Sequence, residues 1–367
     1  MADATPSLLS SENGSSAARA RRHWLIAAVA AVLAALLVIV AVMLTRSHRR
    51  PFLTLIGHGP GILSAVFSPD GKIVAAADEA GYTDLWNAAT GKPIAAFRDP
   101  HGNAANAVAF SPDGKILAAG ASGGYTYLWS TTGRLVRALH DPGPHNDYSA
   151  VAFSPDGKIL AACDSGRTYE WSMATGRLIT TLQDPGRQAF ANAVAFSPDG
   201  KILATGDNNG RTDLWRTTTG RLIASIADPG HAAIISSVAF SPNGTILATG
   251  DGRDGSTYLW STANDTKIAT LPGPHGGVVN SVTFSPDGKT LAIVESIGYD
   301  GANGTTYLWS VTRHKRDAAL TDPLGYDIAT AAYSPDGAIL ATGDDLDLSL
   351  PNSTPARIYL WHVPGLH

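Results

Sequence analysis

Carboxylates return along this chain at fixed places. Asp78, Asp164, Asp207, Asp251, Glu295 and Asp344 each close a short apolar run, and only Ala121 breaks the series. A second set, Asp99, Asp141, Asp184, Asp228 and Asp322, stands before the next run, each time as Asp-Pro. Acids in this pattern have two readings. Their side chains cap the turns they sit in, which aspartate does well, or they form an anionic recognition surface or weak Ca²⁺ site. No catalytic constellation accompanies them. The chain has no G-x-S-x-G, H-E-x-x-H, G-x-x-x-x-G-K-[ST] or paired C-x-x-C. Its histidines fall mostly in linkers and tails. Cys163 is the only cysteine, so no internal disulfide forms, and its strand setting reads as a small core residue. Sequons occur at Asn243 and Asn303. A net charge of −4 gives no nucleic-acid footprint. No cofactor is expected.

The elements that position these acids come from a repeated phrase, clearest as A-V-A-F-S-P-D-G-K-I-L-A-T-G-D-N-N-G-R-T-D-L-W from Ala193 to Trp215. Its aromatic anchor recurs at Phe67, Phe110, Phe153, Phe196, Phe240, Phe284 and Tyr333, with gaps of 43, 43, 43, 44, 44 and 49. Its closing tryptophan recurs at Trp86, Trp129, Trp171, Trp215, Trp260, Trp309 and Trp361; only Trp24 lies outside the series. A period in this range marks a repeat architecture, whose units bury their apolar faces by stacking on one another. Each copy parses into four short strands. A-V-A-F is the first, S-P-D-G a tight turn, K-I-L-A-T-G the second, T-D-L-W or T-Y-L-W the third. A T-T-G-R turn leads to L-I-A-S-I, the fourth. Such a unit is one antiparallel blade of a propeller.

V-x-F-S-P-D-G, L-A-x-G and L-W at this period resemble the WD-repeat β-propeller family over residues 52–367. The resemblance implies an all-β, seven-bladed propeller that binds protein partners as a scaffold or sensor. Gly57-His58 and Gly230-His231 match the family's Gly-His pair, and His101 and His275 hold the same position without the glycine; three of these positions are read as buried turn donors rather than ligands. The aspartate expected after each tryptophan is absent: Asn87, Ser130, Ser172, Arg216, Ser261, Ser310 and His362 stand there. The family's turn aspartate survives as Asp254, with Asn209 and Asn303 at its place in two other copies. The family's buried His–Asp–Ser–Trp network is therefore expected in few blades. The L-x-D-P linkers and T-Y-L-W spelling are similar to propellers attached to bacterial membrane serine/threonine kinases, though the chain contains no kinase motif.

Ahead of the repeats, residues 1–23 read as a disordered tail. Residues 24–45 are twenty-two positions without charge, long enough at about 1.5 Å per residue to span roughly 30 Å of hydrocarbon as a transmembrane helix. The run is too long for a signal peptide, and Thr45-Arg46 offers no small-residue cleavage site. Flanking arginines are balanced, three on each side; a cytoplasmic N-terminus with the propeller extracytoplasmic is the expected arrangement. Residues 46–51 form a linker. Pro51–Ile56 spells a lone fourth strand, and the chain stops after Trp361 without one, so strand 52–56 is expected to complete the last blade and close the ring.

By family geometry the second-to-third-strand loops and the interblade linkers share one face, which is therefore expected to be acidic. The opposite face carries Lys72, Lys115, Lys158, Lys201 and Lys289 with Arg134, Arg177 and Arg221, partly cancelled by the turn aspartates. The tryptophan lies 14 to 16 positions after the turn glycine in repeats 1–5, but 21 in repeat 6 and 24 in repeat 7. The excess falls in two loops bearing Glu295, Tyr299 and Asp300, and Asp344, Asp345 and Asp347, the candidate partner-binding residues. An enzyme with a central metal or small-molecule site, as in lactonase-like propellers, and a sensory partner of a membrane kinase are the alternative readings.

Overall fold

Each Ser-Pro-Asp-Gly turn closes for a local reason. The Ser68 hydroxyl donates to Asp70 Oδ1 (2.7 Å) and accepts the Ile73 N–H (2.9 Å). Gly71 donates its N–H to the Ser68 carbonyl (2.8 Å) at φ +70°, a conformation that side chains resist. The same bonds recur in the other six turns, with Asn243 replacing aspartate in the fifth.

The computed structural model describes residues 50–143, 150–164, 167–185, 190–229, 234–273, 276–296, 304–345 and 355–363. The tail 1–23, the apolar run 24–45 and linker residues 46–49 lie outside the described residues, as do Tyr299, Asp300, Asp347, His231 and His275. Among the described residues no helix is long and apolar enough to cross a membrane. Arg50–His367 is one compact unit.

That unit is seven four-stranded antiparallel sheets. Blade 1 runs Ile62–Phe67, Ile73–Asp78, Tyr82–Asn87, Pro93–Arg98, and blades 2 to 6 are built likewise from consecutive strands. The first strands contact one another in succession around the ring, and that of blade 7 (Asp327–Tyr333) contacts that of blade 1. Blade 7 is composite. Leu53–Ile56 pairs antiparallel with Arg357–His362, placing Leu53 opposite Leu360 and Leu55 opposite Ile358. The ring closes a second time at its centre, where the Ala65 N–H of blade 1 donates to Thr330 Oγ1 of blade 7 (3.4 Å). The equivalent bond joins Val108 N–H to Ser64 (3.3 Å) and Val282 N–H to Ser237 (3.0 Å) across other seams. One position earlier, Asn192 and Asn280 donate side-chain N–H groups to the Ile235 and Ile328 carbonyls of the next blade (3.3 and 2.8 Å).

Second strands are buried on both faces, whereas outermost strands alternate and expose most of their length. All seven repeat tryptophans lie in third strands. Six are buried, and Trp129 is partly covered by Phe97 of blade 1, stacked at 5.2 Å. The seams are matched by volume. Gly206, Gly250 and Gly343 sit in second strands against Ile235, Val279 and Ile62 of the following blade. A Cβ at Gly250 would lie 2.6 Å from Val279 Cγ1.

Two outcomes test this architecture. Gly250→Val should destabilise the domain by about 1–3 kcal/mol through overpacking, and Val279→Ala in the same chain should recover part of that loss in a denaturant melt. Deleting residues 51–57 should leave blade 7 with an uncovered edge and yield a chain that aggregates or melts well below the parent. A deletant that stays monomeric with parental melting would sink the role given to this strand.

Candidate functional site

The loops from second to third strands and the linkers between blades share one face of the disc, and the recurring acids stand there. They point inward. Asp78, Asp164, Asp207, Asp251, Glu295 and Asp344 occupy the last turnward positions of second strands, and all are buried. So are the linker residues Asp99, Asp141, Asp184, Asp228 and Asp322. Most cap backbone. Asp78 accepts the Tyr82 and Gly59 N–H groups (2.8 and 2.7 Å), Asp207 those of Asn209 and Arg211 (2.9 and 2.8 Å), and Asp251 that of Arg253 (2.8 Å). Asp99 caps His101, Asp322 caps Leu324, and Asp344 accepts from Arg357. Of the two readings of these acids, turn capping is the one this geometry supports for these six, because an orphan N–H in a tight loop finds its acceptor there, and none of the eleven carboxyls stands on an exposed anionic surface.

A polar relay runs deeper in two blades. The Trp215 indole N–H donates to Thr205 Oγ1 (2.9 Å), and that hydroxyl donates to Asp184 (3.4 Å). Trp260, Thr249 and Asp228 repeat it at 3.0 and 3.1 Å. Trp361 bonds Thr342 in blade 7 (2.9 Å). A linker aspartate here takes the place that the family network gives to histidine. The signal was present as the A-T-G-D spelling of blades 4, 5 and 7, against A-A or A-I elsewhere.

Burial with few cations nearby raises several of these acids above the ordinary carboxylate range. It pushes the Asp141 carboxyl up to about 8, with the Asp164 carboxylate adding to the effect. It lifts Asp184, Asp228, Glu295 and Asp344 to about 7. Among the described residues, no group of three or more His, Cys, Asp or Glu side chains is placed to hold a metal ion.

The histidines read as buried donors are partly corrected. His58 and His101 do donate backbone N–H groups to Asp84 (2.9 Å) and Asp99 (2.5 Å), but their rings are 56% and 52% exposed. Each ring is pinned through Nδ1: His58 to buried Asp84 (2.6 Å), His101 to the Tyr127 hydroxyl (2.5 Å). His58 also stacks on Tyr82 at 5.1 Å, and Arg98 lies over that same ring at 5.4 Å. Asp84 and Asp213 replace the tyrosine of T-Y-L-W and were not singled out in the sequence. Below His58, a cleft of about 660 Å³ separates blades 7 and 1, lined by Thr54, Ile56, Trp86 and Pro93–Ala96.

Of the candidate loop residues, Glu295 and Asp344 lie in strands and are buried, so their carboxyls face no partner; Asp345 is partly exposed. The interstrand segments are nevertheless longest there. Strands break off at Ser296 and Asp345 and resume at Thr305 and Arg357, whereas blade 1 resumes at Tyr82 after Asp78. Sequence reasoning also passed over Glu170, which occupies the leucine position of T-Y-L-W between Ala161 and Thr180. It is fully buried, both carboxyl oxygens lack a hydrogen-bond partner among the described residues, and burial pushes it up to about 7.

These shifts fix the sign of the pH dependence. A carboxyl raised in the folded state keeps its proton while the unfolded chain releases it, so stability falls as pH rises from the unfolded value near 4 to about 7–8. The exposed turn acids act oppositely: Asp156 and Asp199, lowered to about 2 mainly by the Ser154 and Ser197 hydroxyls, lose their contribution below about pH 4. The melting temperature should therefore peak in mild acid and decline between about pH 5 and pH 8. Glu170→Leu should stabilise the domain by about 1–3 kcal/mol, more at pH 8 than at pH 5. A flat melting profile across this window would show the acids to be solvated.

A model of the WD domain, G-beta repeat family matches residues 49–87, 91–130, 134–172, 176–216, 220–261 and 265–310. Each match starts just before the fourth strand of one blade and ends on the last residue of the next blade's third strand, one past its tryptophan. The remaining copy, closed by Trp361, has the longest excursion before its tryptophan and goes unmatched. No curated protein matches the chain. Six matched repeats spanning most of the sequence, folded as seven closed blades, place this chain in the WD-repeat family.

Proposed function

We propose that this protein is a single-pass membrane protein whose propeller is held outside the cytoplasm as a scaffold or sensor for protein partners. WD-repeat propellers act by binding proteins, and the observation that carries the reading here is asymmetry. A closed ring with matched seams supports loops of very unequal length, the two longest in adjacent blades 6 and 7 on the same face. Loop excursions on a rigid frame are where recognition concentrates. Anchoring rests on residues 24–45, an uncharged run of spanning length. Asp345 and the residues at 299, 300 and 347 supply polar contacts, whereas Glu295 and Asp344 are buried and Asp344 ties the two ends of its loop through the Arg357 N–H. The capture of a signalling partner, such as a membrane kinase encoded separately, fits the same geometry.

Proximity labelling with the full-length chain should recover a small, reproducible set of proteins. Asp345→Lys with Asp347→Lys should lower that capture, with the largest effect at low ionic strength, where rim charges govern association. Asp344 is left intact, because its substitution would disturb the fold. Equal capture by parent and variant at every salt concentration would remove these loops from the contact. Resistance to alkaline extraction and protection of the N-terminus from external protease test the anchor and its orientation.

A further inference from the structure

The other face of the disc has a chemistry of its own. It carries the Ser-Pro-Asp-Gly turns and the third-to-fourth-strand turns, tied together by bonds such as Ala88 N–H to the Lys72 carbonyl (2.8 Å) and Met173 N–H to the Lys158 carbonyl (2.9 Å). Five lysines there are paired with the aspartate of their own turn: Lys72, Lys115, Lys158, Lys201 and Lys289, at 3.0–3.5 Å. Those charges cancel. Arg134, Arg177 and Arg221 are exposed and make no ion pair among the described residues.

Each of these arginines is followed by two exposed aliphatic residues at the start of an outermost strand. They are Leu135 and Val136 in blade 2, Leu178 and Ile179 in blade 3, Leu222 and Ile223 in blade 4. Ile179 is 51% exposed. Blade 6 breaks the pattern with Lys315 and Arg316. Aliphatic side chains held in the open beside unpaired guanidinium groups, on three successive blades, match a surface that inserts shallowly among anionic headgroups. The chain also enters the disc on this face. Arg50 and Pro51 lead into Leu53–Ile56 at the end that lies with the third-to-fourth-strand turns, and only Arg46–Phe52 separate that strand from the uncharged run ending at Thr45.

We propose that the turn-bearing face, at its rim over blades 2 to 4, lies against an anionic lipid surface. The proposal rests on the reading of the chain as membrane-anchored. It commits to lipid over a soluble protein partner because the unpaired charges at the rim over blades 2 to 4 are cationic, the apolar side chains there are aliphatic, and the spanning run ends within seven residues of the same face. The face bearing the long loops of blades 6 and 7 is then turned away from the bilayer.

The test uses the full chain with Cys163→Ser, carrying a fluorophore at Ile179→Cys, Ile223→Cys or, on the opposite face, Arg253→Cys. Each is reconstituted into phosphatidylcholine vesicles with or without phosphatidylglycerol, containing a lipid-borne quencher. Quenching should be strong at positions 179 and 223 and near background at 253. It should fall severalfold when phosphatidylglycerol is omitted, when salt is raised, or when Arg134, Arg177 and Arg221 are replaced by glutamate. Equal quenching on both faces, or none at 179 and 223, overturns the proposal. Retention on the vesicles after an alkaline wash is scored separately and decides the anchor, so the two readings fail independently. A circular dichroism melt of each variant confirms that the ring is intact.

Discussion

A single blade of this protein is a four-stranded sheet with two apolar faces and no means of covering either. Everything else follows from having to press each face against the next blade. The second strands are buried on both sides because a neighbour lies on both sides. Volumes must then agree across seven seams. Where a second strand offers Gly206, Gly250 or Gly343, the next blade fills the space with Ile235, Val279 or Ile62. The last seam has to join the two ends of the chain, and it does so at the rim through Leu53–Ile56 and at the axis through Thr330 and Ala65. Even the turns take part: Gly71 of blade 1 packs on Pro335 of blade 7, as Gly114 packs on Pro69.

The same constraint explains the fate of the acids. Packing the blades face to face crowds the loops of one side of the disc until their backbone N–H groups lose access to water. A short acidic side chain at the strand end is the nearest acceptor, and Asp78, Asp207 and Asp251 each bond two or more such groups or stand beside them. The cost is a set of carboxyls in low dielectric with few cations to pair them, and burial raises many of them above the ordinary carboxylate range. On the opposite face each turn aspartate meets a serine hydroxyl and often a lysine in the open, and its carboxyl moves the other way. One residue type thus has two ionisation behaviours, set by which end of the strand it occupies.

This distinction marks what was legible in the sequence. Blade number, strand order and the third-strand position of the tryptophans are properties of period and alternation, and the spelling carries them. The S-P-D-G turns are equally local, since the serine, aspartate and glycine make their bonds within five residues. What was missed depends on contacts between blades or across a sheet. The repeated acids were legible as turn caps, but their spacing says where they stand along a strand and nothing of the neighbour that buries them. The relay from Trp260 through Thr249 to Asp228 joins residues far apart in the chain. Asp84 and Glu170 were single-letter departures within otherwise regular third strands, and only burial shows that one pins a histidine while the other replaces a core leucine.

A ring of this kind also sets how change is confined. Each blade touches two neighbours, so a substitution is felt at two seams and no further. Glu170 is such a site: it is buried in the third strand of blade 3, opposite Ala161 and Thr180, with the strand pairing around it intact. The long segments after Ser296 and Asp345 enter and leave between strands that keep their register, as the pairing of Thr290–Ser296 with Thr305–Ser310 and of Ile339–Asp345 with Arg357–His362 shows. The two faces can therefore diverge. On one, the turns are short, nearly identical and bonded to one another, which leaves the rim side chains as its main variable. On the other, the strand ends are fixed by buried acids, and what lies between them is free to lengthen. Recognition chemistry can accumulate on that face because the closure of the ring does not depend on it.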